Sequence, residues 1–185
     1  MNSSYTSPAT VCVGHVHFIV TNLERSIDFY TRILGFHITE DRRKEPSPRQ
    51  MAFLSANEYH HQVALMEMAQ YQPVPKGYAG LYHAAFLYPG PYELAVVVKH
   101  IVGQGYPIDL CHDYGIGKFV NLRDPDGIPL ELYYDYPPEQ WPRVDGQRDL
   151  QRHDSSAGNG TGGRARPGYP QRVQVHVKRA SYCQH

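Results

Sequence analysis

The sequence predicts an α+β fold built from two consecutive βαβββ modules. Three observations carry this prediction. The order strand, helix, strand, strand, strand occurs twice, and the first strand of each repeat carries a histidine, His15 in one and His83 in the other. A glycine suited to ending a helix, Gly35 or Gly103, follows each histidine by 20 residues.

Composition and charge set the class of protein. The 185 residues are enough for one domain with a sizeable core, and equal numbers of acidic and basic residues give no support for a nucleic-acid or acidic-membrane partner. Cys12, Cys111 and Cys183 form no close pair, which favours a reducing compartment. The polar N-terminal tail 1–10 lacks a signal pattern, and no apolar run approaches the roughly 18 residues that span a bilayer. We therefore expect a cytoplasmic protein.

In the first module, residues 11–20 alternate as a strand, which places His15 and His17 on one face. Thr21 and Glu24 have the spacing of a capping box, with Thr21 as the N-cap of a helix. The helix carries apolar residues at helical spacing up to its final glycine, namely Leu23, Ile27, Tyr30, Leu34 and Gly35. Three further strands are predicted over residues 36–41, 50–55 and 61–68.

The second module repeats this order. A strand is predicted over residues 81–88, and Pro91 stands at the start of the following helix. One side of that helix is predicted to carry Leu94, Val97, Val98, Ile101 and Val102. Strands follow near residues 107–111, 116–122 and 128–134. Residues 124–127, Asp-Pro-Asp-Gly, form a turn in which Pro presets φ and Gly closes the turn.

These elements form one predicted domain over residues 11–137, with module one at 11–70 and module two at 80–137. Beyond it lies the range 142–185, in which residues 145–170 are rich in Gly, Arg, Ser and Asp and contain almost no large aliphatic side chains. Such a segment buries too little surface to offset its ordering entropy, so a disordered tail is predicted. Within it, residues 172–178 alternate and form a candidate isolated strand.

The residues with the clearest chemical meaning are His15, His83 and Glu131. Two imidazoles and one carboxylate form a ligand set that suits Fe(II) and leaves positions open for substrate and oxygen. Glu131 shares a strand face with Tyr133, while its leucine neighbours take the other face. The internal repeat gives these distant residues a way to meet at one point.

Four strings in order resemble the vicinal oxygen chelate superfamily, and in particular its small two-module catechol 2,3-dioxygenases. They are 14–17 (Gly-His-Val-His), 53–61 (from Phe-Leu-Ser-Ala to Tyr-His-His), 80–83 (Gly-Leu-Tyr-His) and 122–127 (Leu-Arg-Asp-Pro-Asp-Gly). The superfamily also includes glyoxalase I and the bleomycin- and fosfomycin-resistance proteins. The resemblance implies a cup-shaped, half-open β-barrel around a metal site, with His15, His83 and Glu131 as the metal ligands.

The resemblance also implies roles around the metal. His61 matches the histidine that acts as acid and base in extradiol dioxygenases. Tyr114 takes the position of a second family histidine, and His112 lies two residues before it. We therefore expect Tyr114 to act in catalysis, and His17 and His112 to contact substrate. Asn121 stands where the family often has a tyrosine.

The expected activity is extradiol ring cleavage of a catechol-type substrate with O2, dependent on Fe(II), with Mn(II) as an alternative metal. The expected partners are therefore a small aromatic diol and oxygen. Members of the superfamily commonly form dimers, and a homodimer is compatible with the sequence.

Glu67 keeps two other activities open. If Glu67 is a fourth ligand, the site resembles a glyoxalase I-like metal-dependent lyase or a thiol-transferring resistance protein. If Val63 or Leu65 lies nearest the metal, three protein ligands remain and oxygen chemistry is favoured. A protein that sequesters a drug in the same cup, without catalysis, is the non-enzymatic alternative.

Overall fold

The computed structural model describes residues 5–144, except 48, 73, 74 and 76–78, together with residues 147–148. Residues 5–14 belong to a separate unit, in which the Val11 amide donates to the carbonyl of Pro8 at 3.1 Å. The first strand was predicted to begin at residue 11, yet it begins only at Val16. Cys12 and Cys111 carry free, exposed thiols.

Both predicted βαβββ modules are confirmed, and both lie in the compact unit His15–Ser155. Module one comprises β1 (Val16–Val20), α1 (Leu23–Asp28) continuing as a π-helical turn (Phe29–Ile33), β2 (His37–Asp41), β3 (Met51–Ser55) and β4 (Val63–Glu67). Module two comprises β5 (Ala84–Leu87), α2 (Pro91–Gly103), β6 (Leu110–Asp113), β7 (Gly117–Arg123) and β8 (Pro129–Asp135).

Each module forms its own four-stranded sheet, ordered β1-β4-β3-β2 in module one and β5-β8-β7-β6 in module two. In both sheets the first strand pairs in parallel with the last, and the other pairs are antiparallel. The described strands do not join the two sheets by hydrogen bonds into a closed barrel.

A 3-10 turn (Pro138–Gln140) and a short antiparallel pair, β9 (Arg143–Val144) with β10 (Gln147–Arg148), follow module two. This pair lies inside the range predicted to be disordered. The remainder of that range, including the candidate strand 172–178, lies outside the described residues.

The N-cap of α1 is Asn22, one residue later than predicted. Asn22 is extended, and its Oδ1 accepts a hydrogen bond from the backbone N–H of Arg25 at 2.9 Å. The predicted capping-box contact of Glu24 is replaced by an ion pair with Arg43 at 2.7 Å. Thr21, the predicted cap, instead donates its hydroxyl hydrogen to Asp126 of module two.

The helix ends differ between the modules. Gly35 has the predicted left-handed backbone, with φ of 77°, after the π-helical turn. In module two the left-handed residue is Gly105, with φ of 69°, whereas Gly103 is still helical. Gly35 and Gly103 are therefore not structurally equivalent, although each follows its module's histidine by 20 residues.

One hydrophobic core extends through both modules. Its largest fully buried side chains come from the helices and the inner sides of the sheets, and include Leu23, Phe29, Tyr30, Ile33, Leu54, Leu65, Ile101, Leu122, Leu130 and Leu132. In α2, Leu94 and Ile101 are buried as predicted, but Val102 is 60% exposed. Val102 lies about 100° around the helix from Ile101, which turns it away from the sheet.

The turn 124–127 ties the two modules together. Asp124 Oδ1 accepts hydrogen bonds from the backbone N–H of Asp126 at 2.9 Å and of Ile128 at 2.8 Å, which fixes the turn. Asp126 then reaches the start of α1, where it accepts from the Thr21 amide at 3.2 Å and from the Arg25 guanidinium at 2.7 Å. A carboxylate at a helix N-terminus is favourable, so module two stabilises the first helix of module one.

The other carboxylate of the turn is unusual because it is buried. Asp124 is 4% exposed, and burial together with the nearby Asp126 charge raises its pKa to about 6. The hydroxyl of Tyr30 is also buried, and its own burial together with the Asp124 charge raises its pKa. The ionised form of Asp124 is thus disfavoured in the folded protein.

We predict that Asp124→Asn removes a pH dependence of stability. Since the pKa of Asp124 is raised on folding, the folded state holds its proton more strongly, and the free energy of unfolding should fall as pH rises from about 4 to about 6. A shift of about two units corresponds to about 3 kcal/mol as an upper value. Urea unfolding between pH 4 and pH 7 measures this.

The half-exposed Asp109, which pairs with Arg123, supplies the control variant Asp109→Asn. That variant should keep the wild-type fall in stability across this range. An Asp124→Asn protein with the same pH dependence as wild type would contradict the assignment.

Candidate metal and substrate site

Each sheet has an outward face, defined here as the side turned away from the helices. On β1, Phe18 and Val20 are buried against the helix, while His17 and Ile19 are exposed on the outward face. His15 directly precedes β1, and alternation places it on the same side as His17. The predicted shared face of His15 and His17 is therefore consistent with the strand that is observed.

In module one, His15 meets His61. Their ring centroids are 4.6 Å apart, and His61 also packs against Phe53 at 4.9 Å. Phe53 is in register with Ala64 of β4, which is itself in register with His17. His60 lies beside this pair, with its Nδ1 2.7 Å from the Nδ1 of His61, so one of the two nitrogens carries the proton they share.

The surroundings of His61 and His17 favour the neutral forms of these two side chains. Burial lowers the pKa of His61, and the neighbouring His15 and His60 lower it further. Burial also lowers the pKa of His17, again with a contribution from His15. A neutral imidazole can accept a proton or bind a metal, whereas an imidazolium can do neither.

In module two, His83 meets Glu131. The register Ala85 to Glu131 places the carboxylate on the outward face, and His83 precedes Ala85 by two residues. His83 Nε2 lies 3.6 Å from Glu131 Oε1, and Glu131 is 9% exposed. The second oxygen, Oε2, accepts a hydrogen bond from Asn121 Nδ2 at 3.2 Å.

Asn121 is the site residue that sequence reasoning missed. It was noted only as a departure from the family tyrosine, yet it lies directly opposite Glu131 in the β7–β8 pairing. Alternation along β7 was the available signal, because a polar residue between Val120 and Leu122 must face away from the core.

An aromatic wall stands next to this pair. It consists of His112, Tyr114, Phe119 and Tyr133. The rings of His112 and Tyr114 stack at 5.0 Å with an interplanar angle of 16°, and those of Phe119 and Tyr133 stack at 5.3 Å and 5°. Tyr133 follows Glu131 by two residues on the same strand face, so the wall and the carboxylate share the outward face.

Glu67 lies on the other side of its sheet. It is in register with the buried Val20, and its Oε2 accepts a hydrogen bond from the Leu23 N–H, in the first turn of α1, at 2.7 Å. Glu67 therefore caps α1. The buried Val63 and Leu65 lie on the same, helix-facing side of β4.

The position in module one that corresponds to Glu131 is Ala64. His17 pairs with Ala64 just as Ala85 pairs with Glu131. From the sequence, Val63, Leu65 or Glu67 was expected at this position, because strand alternation was assumed to continue from His61 to Glu67. That count fails because β4 begins only at Val63 and His61 lies in the preceding loop.

The candidate ligands form two pairs within the described chain. His15 lies with His61 in module one, and His83 lies with Glu131 in module two. Among the described residues, no three His, Cys, Asp or Glu side chains come close enough to hold a metal ion together. A single chain thus brings two of the three predicted ligands to one place.

The superfamily described as Glyoxalase/Bleomycin resistance protein/Dioxygenase matches residues 13–132, and the chain belongs to this superfamily. A catechol-2,3-dioxygenase of Bacillus subtilis is 30% identical over 135 residues, which cover 71% of this chain and 44% of that protein. A manganese-dependent 2,3-dihydroxybiphenyl 1,2-dioxygenase of Geobacillus is 28% identical over 127 residues, covering 66% of this chain and 36% of that protein. The chain thus spans less than half the length of these two relatives.

A solved structure supports the fold. A glyoxylase/bleomycin resistance protein/dioxygenase domain from a Frankia species superposes with a TM-score of 0.60 at 22% identity, covering 69% of this chain and 94% of that one. The match of the family model to residues 13–132 confirms the family resemblance read from the sequence. Within the described ranges, no helix combines the length and apolar character required to cross a membrane.

We predict that Glu67→Ala lowers the free energy of unfolding by about 1 kcal/mol, because α1 loses the acceptor at its N-terminus. The control Glu58→Ala removes an exposed carboxylate from the loop before β4 and should change stability little. Chemical denaturation of the two variants beside wild type measures the difference. Equal stability of all three proteins would contradict a capping role for Glu67.

Proposed function

We propose that the chain is an extradiol ring-cleaving dioxygenase that uses Fe(II), with Mn(II) as the alternative metal, and acts on a catechol-type aromatic diol with O2. The observation that carries the proposal is the His83–Glu131 pair beside the aromatic wall on one outward face. The proposed metal ligands are His15, His83 and Glu131.

The donors in module two fit a metal ion. His83 Nε2 and Glu131 Oε1 are 3.6 Å apart, beyond hydrogen-bonding distance. Two atoms can bind one ion at about 2.1 Å each only if they are within roughly 4 Å of each other, and this pair satisfies that limit. Because Asn121 occupies the other oxygen of Glu131, Oε1 is left as the oxygen for the metal.

A bound Fe(II) ion would hold the diol and oxygen together and pass electron density between them. The chain's own residues supply the remaining functions. His61, with its lowered pKa, accepts a proton from a substrate hydroxyl, and Tyr114 stands in the wall where the substrate ring would pack. His112 belongs to the same wall. His17 is exposed on β1, so any contact that it makes with substrate comes from module one.

The relatives support this choice of chemistry. The Bacillus and Geobacillus proteins are named as dioxygenases of catechol and of a dihydroxybiphenyl, and the Geobacillus enzyme is manganese-dependent. Both names describe oxygen insertion into aromatic diols. A partly buried aromatic wall next to a histidine–carboxylate pair suits the same class of substrate.

The alternatives are a glyoxalase I-like lyase, a thiol-transferring resistance protein and a drug-sequestering protein. The first two alternatives depend on Glu67 as a fourth ligand, but Glu67 caps α1, and Ala64 takes the position in module one that corresponds to Glu131. A sequestering protein needs no charged group in its cup. The buried Glu131 with its Asn121 hydrogen bond favours a metal site over such a protein.

We predict that the anaerobically Fe(II)-loaded protein consumes oxygen with a panel of substituted catechols and forms the coloured ring-opened product. His61→Ala should lower kcat by about 100-fold or more and leave the bound iron unchanged, because general acid–base catalysis is lost. The control His37→Ala removes an exposed histidine of β2 and should behave as wild type. Full turnover by His61→Ala, or no uptake by iron-loaded wild type, would contradict the proposal.

We predict further that Asn121→Ala weakens metal binding by about 10- to 100-fold, because Glu131 loses the partner that orients it. Titration with Mn(II), followed by the loss of its free-ion EPR signal, measures the affinity. Lys118→Ala, at an exposed position of the same strand, is the control and should bind as wild type does. Unchanged affinity in Asn121→Ala would show that this hydrogen bond does not support the site.

A further inference from the structure

The segment 136–141 follows the last strand of module two and lies beyond residues 13–132, which match the family model. Its first residue, Tyr136, donates its backbone N–H to the carbonyl of Ile116 at 2.8 Å. After the 3-10 turn (Pro138–Gln140), the indole Nε1 of Trp141 donates to the Tyr136 carbonyl at 2.6 Å. Both backbone groups of Tyr136 are therefore bonded, which fixes the point from which its side chain extends.

The side chain of Tyr136 reaches the hairpin between β6 and β7. Its hydroxyl donates to Asp113 Oδ2 at 2.6 Å, and its ring packs against the hydrophobic core. The other oxygen of Asp113, Oδ1, accepts from the backbone N–H of Gly115 at 2.9 Å. The Tyr136 hydrogen bond lowers the pKa of Asp113, which keeps this carboxylate ionised and therefore a strong acceptor.

The hairpin itself is tightly constrained. Gly115 has a left-handed backbone, with φ of 74°. Gly117 lies so close to β8 that a Cβ atom at this position would clash with the carbonyl oxygen of Tyr134. The Tyr114 N–H donates to the Gly117 carbonyl at 3.2 Å. Because the hairpin is this compact, holding Asp113 holds its neighbours as well.

Asp113 stands between two members of the aromatic wall. His112 precedes it and Tyr114 follows it, and the rings of these two residues stack. Alternation along β6 places His112, in register with Phe119 of the wall, on the outward face and turns Asp113 to the helix-facing side. Asp113 and Tyr136 therefore lie behind the wall and can affect a substrate only through the hairpin.

We propose that Tyr136, Asp113 and Trp141 are positioning residues, which hold the hairpin so that the stacked rings of the wall form one surface for the substrate ring. The Tyr136–Asp113 hydrogen bond joins the segment to the hairpin, and the indole of Trp141 fixes the backbone that carries Tyr136. Without this bond the hairpin populates other arrangements, and substrate affinity falls with the fraction of protein in the stacked one. The proposal rests on the proposed function in taking the wall as the surface that binds the substrate ring.

The first test compares Tyr136→Phe, which loses only the hydroxyl, with wild type in the Fe(II)-loaded protein and substituted catechols. We expect KM to rise about 10-fold and kcat to stay within about threefold, because a hydrogen bond to a charged group behind the wall is lost. Mn(II) affinity should not change. The control Tyr106→Phe removes another hydroxyl of module two, which donates to the Arg123 carbonyl at 2.9 Å, and should keep the wild-type KM. A wild-type KM in Tyr136→Phe would overturn the proposal.

Two variants of Asp113 separate positioning from a general loss of stability. Asp113→Asn keeps an oxygen that accepts the Tyr136 hydroxyl, so its KM should stay within about threefold of wild type. Asp113→Ala should raise KM about 10-fold or more. Adding Tyr136→Phe to Asp113→Ala should raise KM no further, because both changes remove the same hydrogen bond. Additive effects, or an Asp113→Asn protein as impaired as Asp113→Ala, would contradict the proposal.

Hydrogen exchange of the full chain tests the hairpin without metal, oxygen or substrate. In Tyr136→Phe and Trp141→Phe, the backbone amides of residues 114–117 should exchange about 10-fold faster than in wild type, while those of β4 keep the wild-type rate. Unchanged exchange in the hairpin would overturn the proposal. Faster exchange in the variants of a protein that opens no catechol would support the positioning role and contradict the proposed activity.

Discussion

The parallel pairing of the first and last strands of each module determines which side chains can reach the site. In module two this pairing sets Ala85 opposite Glu131 and so brings the carboxylate beside His83. In module one the same pairing sets His17 opposite Ala64 and turns Glu67 to the helix. A slip of one residue would exchange the two faces, burying the donors and exposing the core leucines. The site therefore depends on register as much as on residue type.

The two modules share an architecture but present different chemistry. Module two offers a carboxylate that is almost removed from water, with one hydrogen bond from Asn121 and an imidazole near its other oxygen. Burial of a carboxylate with so few partners is costly, and a cation at Oε1 would offset that cost. In module one Ala64 takes the position that corresponds to Glu131, and the histidines His60 and His61 gather beside His15. The carboxylate in module two and the histidines in module one are the groups expected around a metal that needs one carboxylate ligand and a neighbouring base.

Much of this could be predicted from the sequence, because strand alternation and helical spacing are local properties. The order of elements, the burial of Leu94 and Ile101 and the start of α2 at Pro91 follow from them. Alternation failed at Glu67, since it was counted through a loop whose residues need not alternate. The glycine match failed because Gly103 is the last helical residue of α2 and the left-handed glycine is Gly105, which spacing alone does not reveal. The packing of the modules depends on contacts between distant residues, and no local pattern records it.

The most direct test of the central claim is a crystal structure of the Mn(II)-loaded protein with an anomalous difference map at the manganese edge. We expect one peak per chain, bonded to the Nε2 of His83, one oxygen of Glu131 and the imidazole of His15. Glu67 should remain on the N-terminus of α1. A peak bonded to Glu67, or held by His60 and His61 without Glu131, would contradict the account.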